Sequence, residues 1–252
     1  MAKRGRVRNV GTTIADGIAW VTLERPDTGN SITPDVAQAL CDAVADIEAD
    51  DSVIVVVLTA AGSDFCRGVE EHGEWEQRID WVEATARLTR PVVAAIDGDA
   101  IAEGLELALA CDLRVVSDRA RFAMPQLIDG RLPCHGGTQR LPRIVGPMRA
   151  LDLLLTGRAV TAAEAESIGL VSRVAAHRDF RKALDGVVGE LRSKGPIALR
   201  YAKEAVLKGS DLTLDQGMRL EEDLYVLLQT TGDRQVGIRA FLEKRKPVFR
   251  GK

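Results

Sequence analysis

Apolar positions along this chain follow two periods in turn. Short runs rich in β-branched residues predict strands at Ala19–Leu23, Val53–Leu58, Val92–Ile96, Leu113–Val116 and Leu170–Val174. Val53–Leu58 and Val92–Ile96 are apolar at every position, the pattern of strands covered on both faces in the parallel sheets of α/β proteins. Between the first two runs, Val36, Leu40, Ala43, Val44 and Ile47 recur at helical spacing behind Thr33 as N-cap and Pro34 at the first helical position. After about residue 160 the strand signal fades. Thr161–Glu164 reads as a capping box whose helix stops at Gly169, and Phe180, Leu184, Val187, Val188 and Leu191 mark a second amphipathic helix, closed by Ser193-Lys194-Gly195-Pro196. Further helices are predicted at Ile197–Lys208, Leu214–Gln229 and Asp233–Lys244, and one over Gly73–Leu88 whose Trp75 and Trp81 line a pocket or fill the core. The expected organisation is an α/β core over residues 1–195 and a C-terminal helical region over 196–252.

The 252 residues are 46% apolar and 28% charged, a globular balance. The net charge of −3 excludes a general basic surface for nucleic acid or anionic membrane, and no apolar run approaches the roughly 18 residues of a membrane span. The basic start, MAKRGRVRNV, lacks the apolar core of a secretory signal, so the expected location is cytoplasmic. Cys41, Cys66, Cys111 and Cys134 are scattered without a CxxC pair, and three histidines are spread along the chain. Reduced thiols and no metal site are expected.

No GxxxxGK[ST], no GxGxxG after a strand and no GxSxG is present, which disfavours the simplest nucleotide and acyl-serine chemistries. Two strand-to-helix segments stand out instead. Thr59–Glu71 and Asp97–Asp112 are rich in small residues, and each can offer a backbone N–H to a developing oxyanion or simply form a tight turn before a packed helix. Glu106 lies on a helix that is apolar almost all round. Buried there, its pKa would rise toward neutrality, as a proton-transfer group requires; on a partly exposed face it would be an ordinary surface carboxylate.

The stretch Ile96–Asp112 (IDGDAIAEGLELALACD) resembles the signature segment of the crotonase, or enoyl-CoA hydratase/isomerase, superfamily. Leu23–Pro26, Asp64–Glu70, Phe122–Pro125, Gly136–Pro142 and Ala240–Phe249 agree with the same family in order and spacing, so the resemblance covers residues 10–250. It implies an α/β fold, a crotonase-type spiral of ββα units followed by a C-terminal helical oligomerisation region, assembled as a homotrimer or a dimer of trimers. It implies an acyl-CoA substrate, a coenzyme A thioester, with no cofactor or metal. The thioester enolate would be held by the N–H groups of Val69 and Glu103, with Glu106 as acid/base. Arg25 and the loop Cys66, Arg67, Gly68, Val69 would lie along coenzyme A, and Phe241 and Lys244 match positions that reach a neighbouring subunit's acyl-CoA.

The chain also departs from the family pattern. Hydratases of the family flank a water with two glutamates; Glu106 matches the first, but the second position holds Gln126, which orients by hydrogen bonds and carries no proton. Asp129, Cys134 and His135 are candidates to supply or support the second role. Glu70, Glu71 and His72 follow the first loop and read more simply as surface. Glu103 stands where the family has a small glycine, so its carboxylate is expected to point away from the anion. Hydration or isomerisation using Glu106 alone is the main expectation, with a hydrolase, a decarboxylase or a catalytically silent acyl-CoA-binding member as alternatives.

Overall fold

The computed structural model describes residues 3–7, as backbone only, and 9–252; Met1, Ala2 and Arg8 of the basic start lie outside the described residues. The strands are β1 (Lys3–Val7), β2 (Val10–Ala15), β3 (Ile18–Leu23), β4 (Val55–Ala60), β5 (Val92–Ile96), β6 (Asp99–Ile101), β7 (Leu113–Ser117), β8 (Arg121–Ala123), β9 (Val160–Thr161) and β10 (Arg173–Ala175). The helices are α1 (Pro34–Ala49), α2 (Trp81–Ala86), α3 (Glu103–Leu109), α4 (Gly137–Val145), α5 (Pro147–Thr156), α6 (Ala162–Ser167), α7 (Phe180–Arg192), α8 (Pro196–Gly209), α9 (Leu214–Gln229) and α10 (Gly232–Leu242).

A seven-stranded sheet runs β1-β2-β3-β4-β5-β7-β10, antiparallel through β3 and parallel from β3 onward. A second sheet runs β6-β8-β9. Consecutive strands therefore divide between sheets: β5 enters the large one and β6 the small one, then β7 the large and β8 the small. Cys66, after β4, pairs with Ala100 of β6 and repeats the pattern with a single bridge. This is the expected spiral of ββα turns.

The apolar strand runs are covered on both faces. Val55, Val57, Val93, Ala95 and Val115 pack against Phe180, Leu184 and Val188 of α7. The alternate residues Val56, Leu58, Val92, Ala94, Ile96 and Val116 join the larger core with α1 and α3. Successive strand side chains point to opposite faces, so both layers need apolar partners.

Thr33 caps α1 and Pro34 opens it, as the sequence predicts. Other elements differ. Val53 bonds back to the Asp50 carbonyl in a turn, so β4 starts two residues late. Leu170 and Val171 both donate to the Ala165 carbonyl in closing α6, which delays β10 to Arg173. Thr161 caps α6, but the Glu164 carboxylate pairs with Arg158 instead of completing the box. The single helix expected over Gly73–Leu88 is split into a 3-10 turn, Glu74–Gln77, and the short α2. Glu76 accepts the Gly73 N–H, and the break lets Trp81 turn fully inward.

The C-terminal helices are anchored by Lys203 of α8, which reaches Asp112 at 2.7 Å and the Arg90 carbonyl at 3.0 Å. Asp233 at the start of α10 accepts the N–H groups of Arg250 and Gly251. Leu214, Met218, Tyr225, Phe241 and Leu242 on α9 and α10 are exposed. Among the described residues no helix is long and apolar enough to cross a membrane.

Candidate active site

The two small-residue segments are stitched together by backbone hydrogen bonds. Phe65 and Cys66 donate to the Asp99 carbonyl, Ile101 donates to the Cys66 carbonyl, and Ile32 donates to Gly68. A β-carbon on Gly104 would stand 2.1 Å from the Cys66 carbonyl oxygen, so glycine is what lets the start of α3 lie against this loop. The turn into α3 passes through Ala102 at φ 52°, ψ −123°, a left-sided conformation that strains a residue with a β-carbon. It brings the first turn of α3 beside Val69, whose N–H the Glu103 side chain accepts.

Both glutamates at this end of α3 are buried. Glu103 does not point away as the sequence reading expects. Its Oε2 accepts the Val69 N–H at 3.0 Å and its Oε1 lies 3.3 Å from Arg131 Nη1. A carboxylate removed from water must find donors, and these are the donors in reach. Gly68, at φ +101°, makes room: a β-carbon there would come 2.6 Å from Glu103 Oε2.

Glu106 is wholly inaccessible to solvent. Its Oε1 accepts the N–H groups of His135 at 2.8 Å and Gly137 at 2.7 Å, the latter opening α4. Burial pushes its pKa up to about 7, opposed by those two N–H donors. The Glu103 charge adds to the rise and Arg140 opposes it. Gln126 is also fully buried; its Nε2 lies 3.4 Å from Glu106 Oε2, while its Oε1 has no hydrogen-bond partner among the described residues.

The loop before α4 completes the floor. The His135 ring packs against Trp81 with centroids 5.2 Å apart, and burial lowers its pKa against the pull of Glu76. Among the described residues neither His135 Nε2 nor Trp81 Nε1 has a hydrogen-bond partner. Cys134 is exposed at the same loop, and partial desolvation together with the Glu106, Glu76 and Glu103 charges pushes its thiol up to about 11.

Other sequence candidates lie further out. Asp129 is corrected: its side chain is 67% exposed and pairs with Arg131, not with Glu106 or Gln126. Gln126 opens the 3-10 turn Gln126–Asp129 in the core, and the chain has reached the surface by Ile128 and Asp129. Arg25 pairs with Glu70 at 2.6 Å and donates to the Ser31 carbonyl, at the edge of the first loop. Arg67 pairs with Asp99, and the buried Cys66 thiol is pushed up to about 12 by burial. Phe241 is exposed, and Lys244 takes a left-handed backbone (φ 53°) just after α10. Glu76, Arg131 and Arg140 border the cluster without having been singled out from the sequence. No local motif marks Glu76 or Arg131, and Arg140, though inside the Gly136–Pro142 stretch, reads there as an ordinary cation of an amphipathic helix.

A family profile described as enoyl-CoA hydratase/isomerase matches residues 13–252. The chain is similar to the putative enoyl-CoA hydratase/isomerase YngF of Bacillus subtilis, with 37% identity covering 93% of this chain and 95% of that protein. It is similar to the crotonyl-CoA hydratase of Syntrophomonas wolfei, with 34% identity covering 92% and 94%. The solved structure of an enoyl-CoA hydratase from Bacillus anthracis superposes with a TM-score of 0.93 at 33% identity, covering 97% of this chain and 100% of that one. The chain belongs to the enoyl-CoA hydratase/isomerase family, the crotonase superfamily.

Proposed function

We propose that this protein hydrates a 2-enoyl-CoA thioester with Glu106 as its one proton-transferring carboxylate, and that the same group serves when a double bond is shifted instead. The observation that carries this reading is Glu106 itself: buried, held by two backbone N–H groups, and poised near pH 7. A general acid/base works best with a pKa near the operating pH.

In the hydration, the Glu106 carboxylate takes a proton from water as the water oxygen bonds to the β-carbon. The electron pair of the C=C bond moves onto the thioester oxygen, giving an enolate held by the N–H groups of Val69 and Glu103. Glu106 then returns the proton to the α-carbon, and the enolate collapses to the 3-hydroxyacyl thioester. Gln126 orients the water through its unpartnered Oε1 while its Nε2 stays on Glu106. The Glu103 carboxylate leaves the Val69 N–H when the thioester oxygen arrives. Arg25 and the Cys66–Val69 loop form the coenzyme A side, with Cys134 and His135 beside the acyl group. The exposed apolar residues of α9 and α10 support a homotrimer or dimer of trimers in which Phe241 and Lys244 complete a neighbouring site.

A second reading rests on Glu103. Its carboxylate already occupies the Val69 N–H, as it would in a catalytically silent acyl-CoA-binding member. Turnover of short-chain and cyclic 2-enoyl-CoA thioesters by the wild type and by Glu106→Gln separates the two. The hydratase reading expects wild-type turnover that collapses in the variant. Tight binding with no wild-type turnover establishes the silent reading, and equal turnover by both proteins removes Glu106 from the mechanism.

A further inference from the structure

The side chains of Glu76, Cys134 and His135 carry no proton in the steps above, yet they present a carboxylate oxygen, a sulfur and a ring nitrogen within 4.8 Å of one another. The two oxygens of Glu76 are divided. Oε1 accepts the Gly73 N–H at 3.0 Å and lies 3.1 Å from His72 Nδ1. Oε2 faces His135 Nε2 at 3.7 Å, too far for a hydrogen bond. The His135 side chain is 4% exposed, and its Nε2 is a buried nitrogen with no hydrogen-bond partner. A nitrogen and an oxygen ligand on a tetrahedral zinc, each about 2.0–2.2 Å from the metal, stand about 3.3–3.6 Å apart, just inside this spacing.

We propose that Glu76 Oε2, Cys134 Sγ and His135 Nε2 bind one divalent cation of the zinc class, with a fourth position left to solvent. A thiolate, an imidazole and a carboxylate together favour zinc or cobalt over magnesium or calcium, which take oxygen ligands. The cation displaces the Cys134 thiol proton to solvent, and the thiolate and carboxylate charges balance it. The supporting shell is in place: His72 and the Gly73 N–H hold the far side of Glu76, and the Trp81 ring holds the imidazole. The bound ion would sit beside the acid/base, because the His135 N–H is one of the two that hold Glu106. No sequence spacing announces this site, since Glu76 meets Cys134 and His135 only through the fold.

The test needs no acyl-CoA, so it stands apart from the hydratase reading. Chelator-treated, fully reduced protein is titrated with Co²⁺ and followed by absorption. The expected result is one equivalent bound, with tetrahedral d–d bands and a thiolate-to-cobalt charge-transfer band, reversed by Zn²⁺ and untouched by excess Mg²⁺ or Ca²⁺. Cys134→Ser should abolish the charge-transfer band, and Glu76→Gln should weaken binding by about tenfold or more. Cys41→Ser should change nothing. Circular dichroism checks that each variant is folded, and the wild-type spectrum decides the matter if one is not. Absence of the charge-transfer band in the wild type, or affinity unchanged in both folded ligand variants, overturns the proposal.

Discussion

Glu103 and Glu106 lie three residues apart on α3 and are equally buried, but the two ends of the site treat them differently. At the Val69 end, Glu103 meets the Arg131 guanidinium and a backbone N–H. At the α4 end, Glu106 takes hydrogen bonds from neutral donors, two N–H groups and, weakly, the Gln126 amide. Desolvation outweighs the two N–H donors and Arg140, which oppose it, and Glu106 is pushed up to about 7.

The sharpest way to break this contrast is Glu106→Gln. The amide can still accept the His135 and Gly137 N–H groups but moves no proton, so kcat should fall by about 10²–10⁴-fold with the fold retained. Steady-state hydration kinetics check it.

The same variant probes the pH dependence of stability. Glu106 has a folded pKa of about 7 against an ordinary value of 4.5, so the folded state binds its proton more tightly than the unfolded state. Its contribution is therefore destabilising: absent below about pH 4.5 and complete above about pH 7, at about 3 kcal/mol. Urea unfolding across that range should show Glu106→Gln gaining on the wild type as pH rises; a constant gap would place the Glu106 pKa in its ordinary range.

At the other end, Glu103→Ala frees the Val69 N–H from a charged acceptor. KM for an enoyl-CoA should drop by about tenfold, the scale of one charge-assisted hydrogen bond. A rise in KM would instead make Glu103 a substrate ligand.

The smallest expected effect is at the turn between the two. Ala102→Gly relieves a β-carbon held at φ 52°, offset by the greater freedom of an unfolded glycine. A net gain of up to about 1 kcal/mol, a rise of roughly 2–4 °C in Tm, is expected by calorimetry.

Much of this architecture is legible along the chain. The all-apolar strand runs report two-sided burial, and α1 appears with its cap because Thr33 acts on Val36, three positions away. The short strands β6, β8 and β9 leave no such trace, since two or three residues cannot establish a period. The helix α4 is obscured by Pro142 in its interior. The turn that joins β2 to β3 carries the Asp-Gly pair of a two-residue hairpin, both residues at positive φ.

For the site, sequence alone determined which residue types were present and that Glu106 lies on a helix apolar almost all round. Helical spacing and apolar neighbours are local properties; they left a buried and a partly exposed carboxylate both open, and the packed structure decided for burial. Tertiary structure decided the partners: Glu103 on the Val69 N–H, Asp129 out in solvent, Arg131 beside Glu103, and Glu76 facing His135. These pairings join segments far apart in the chain. A buried polar atom takes whichever donor or acceptor the packed backbone brings within about 3 Å, and that choice is made only once the spiral has closed.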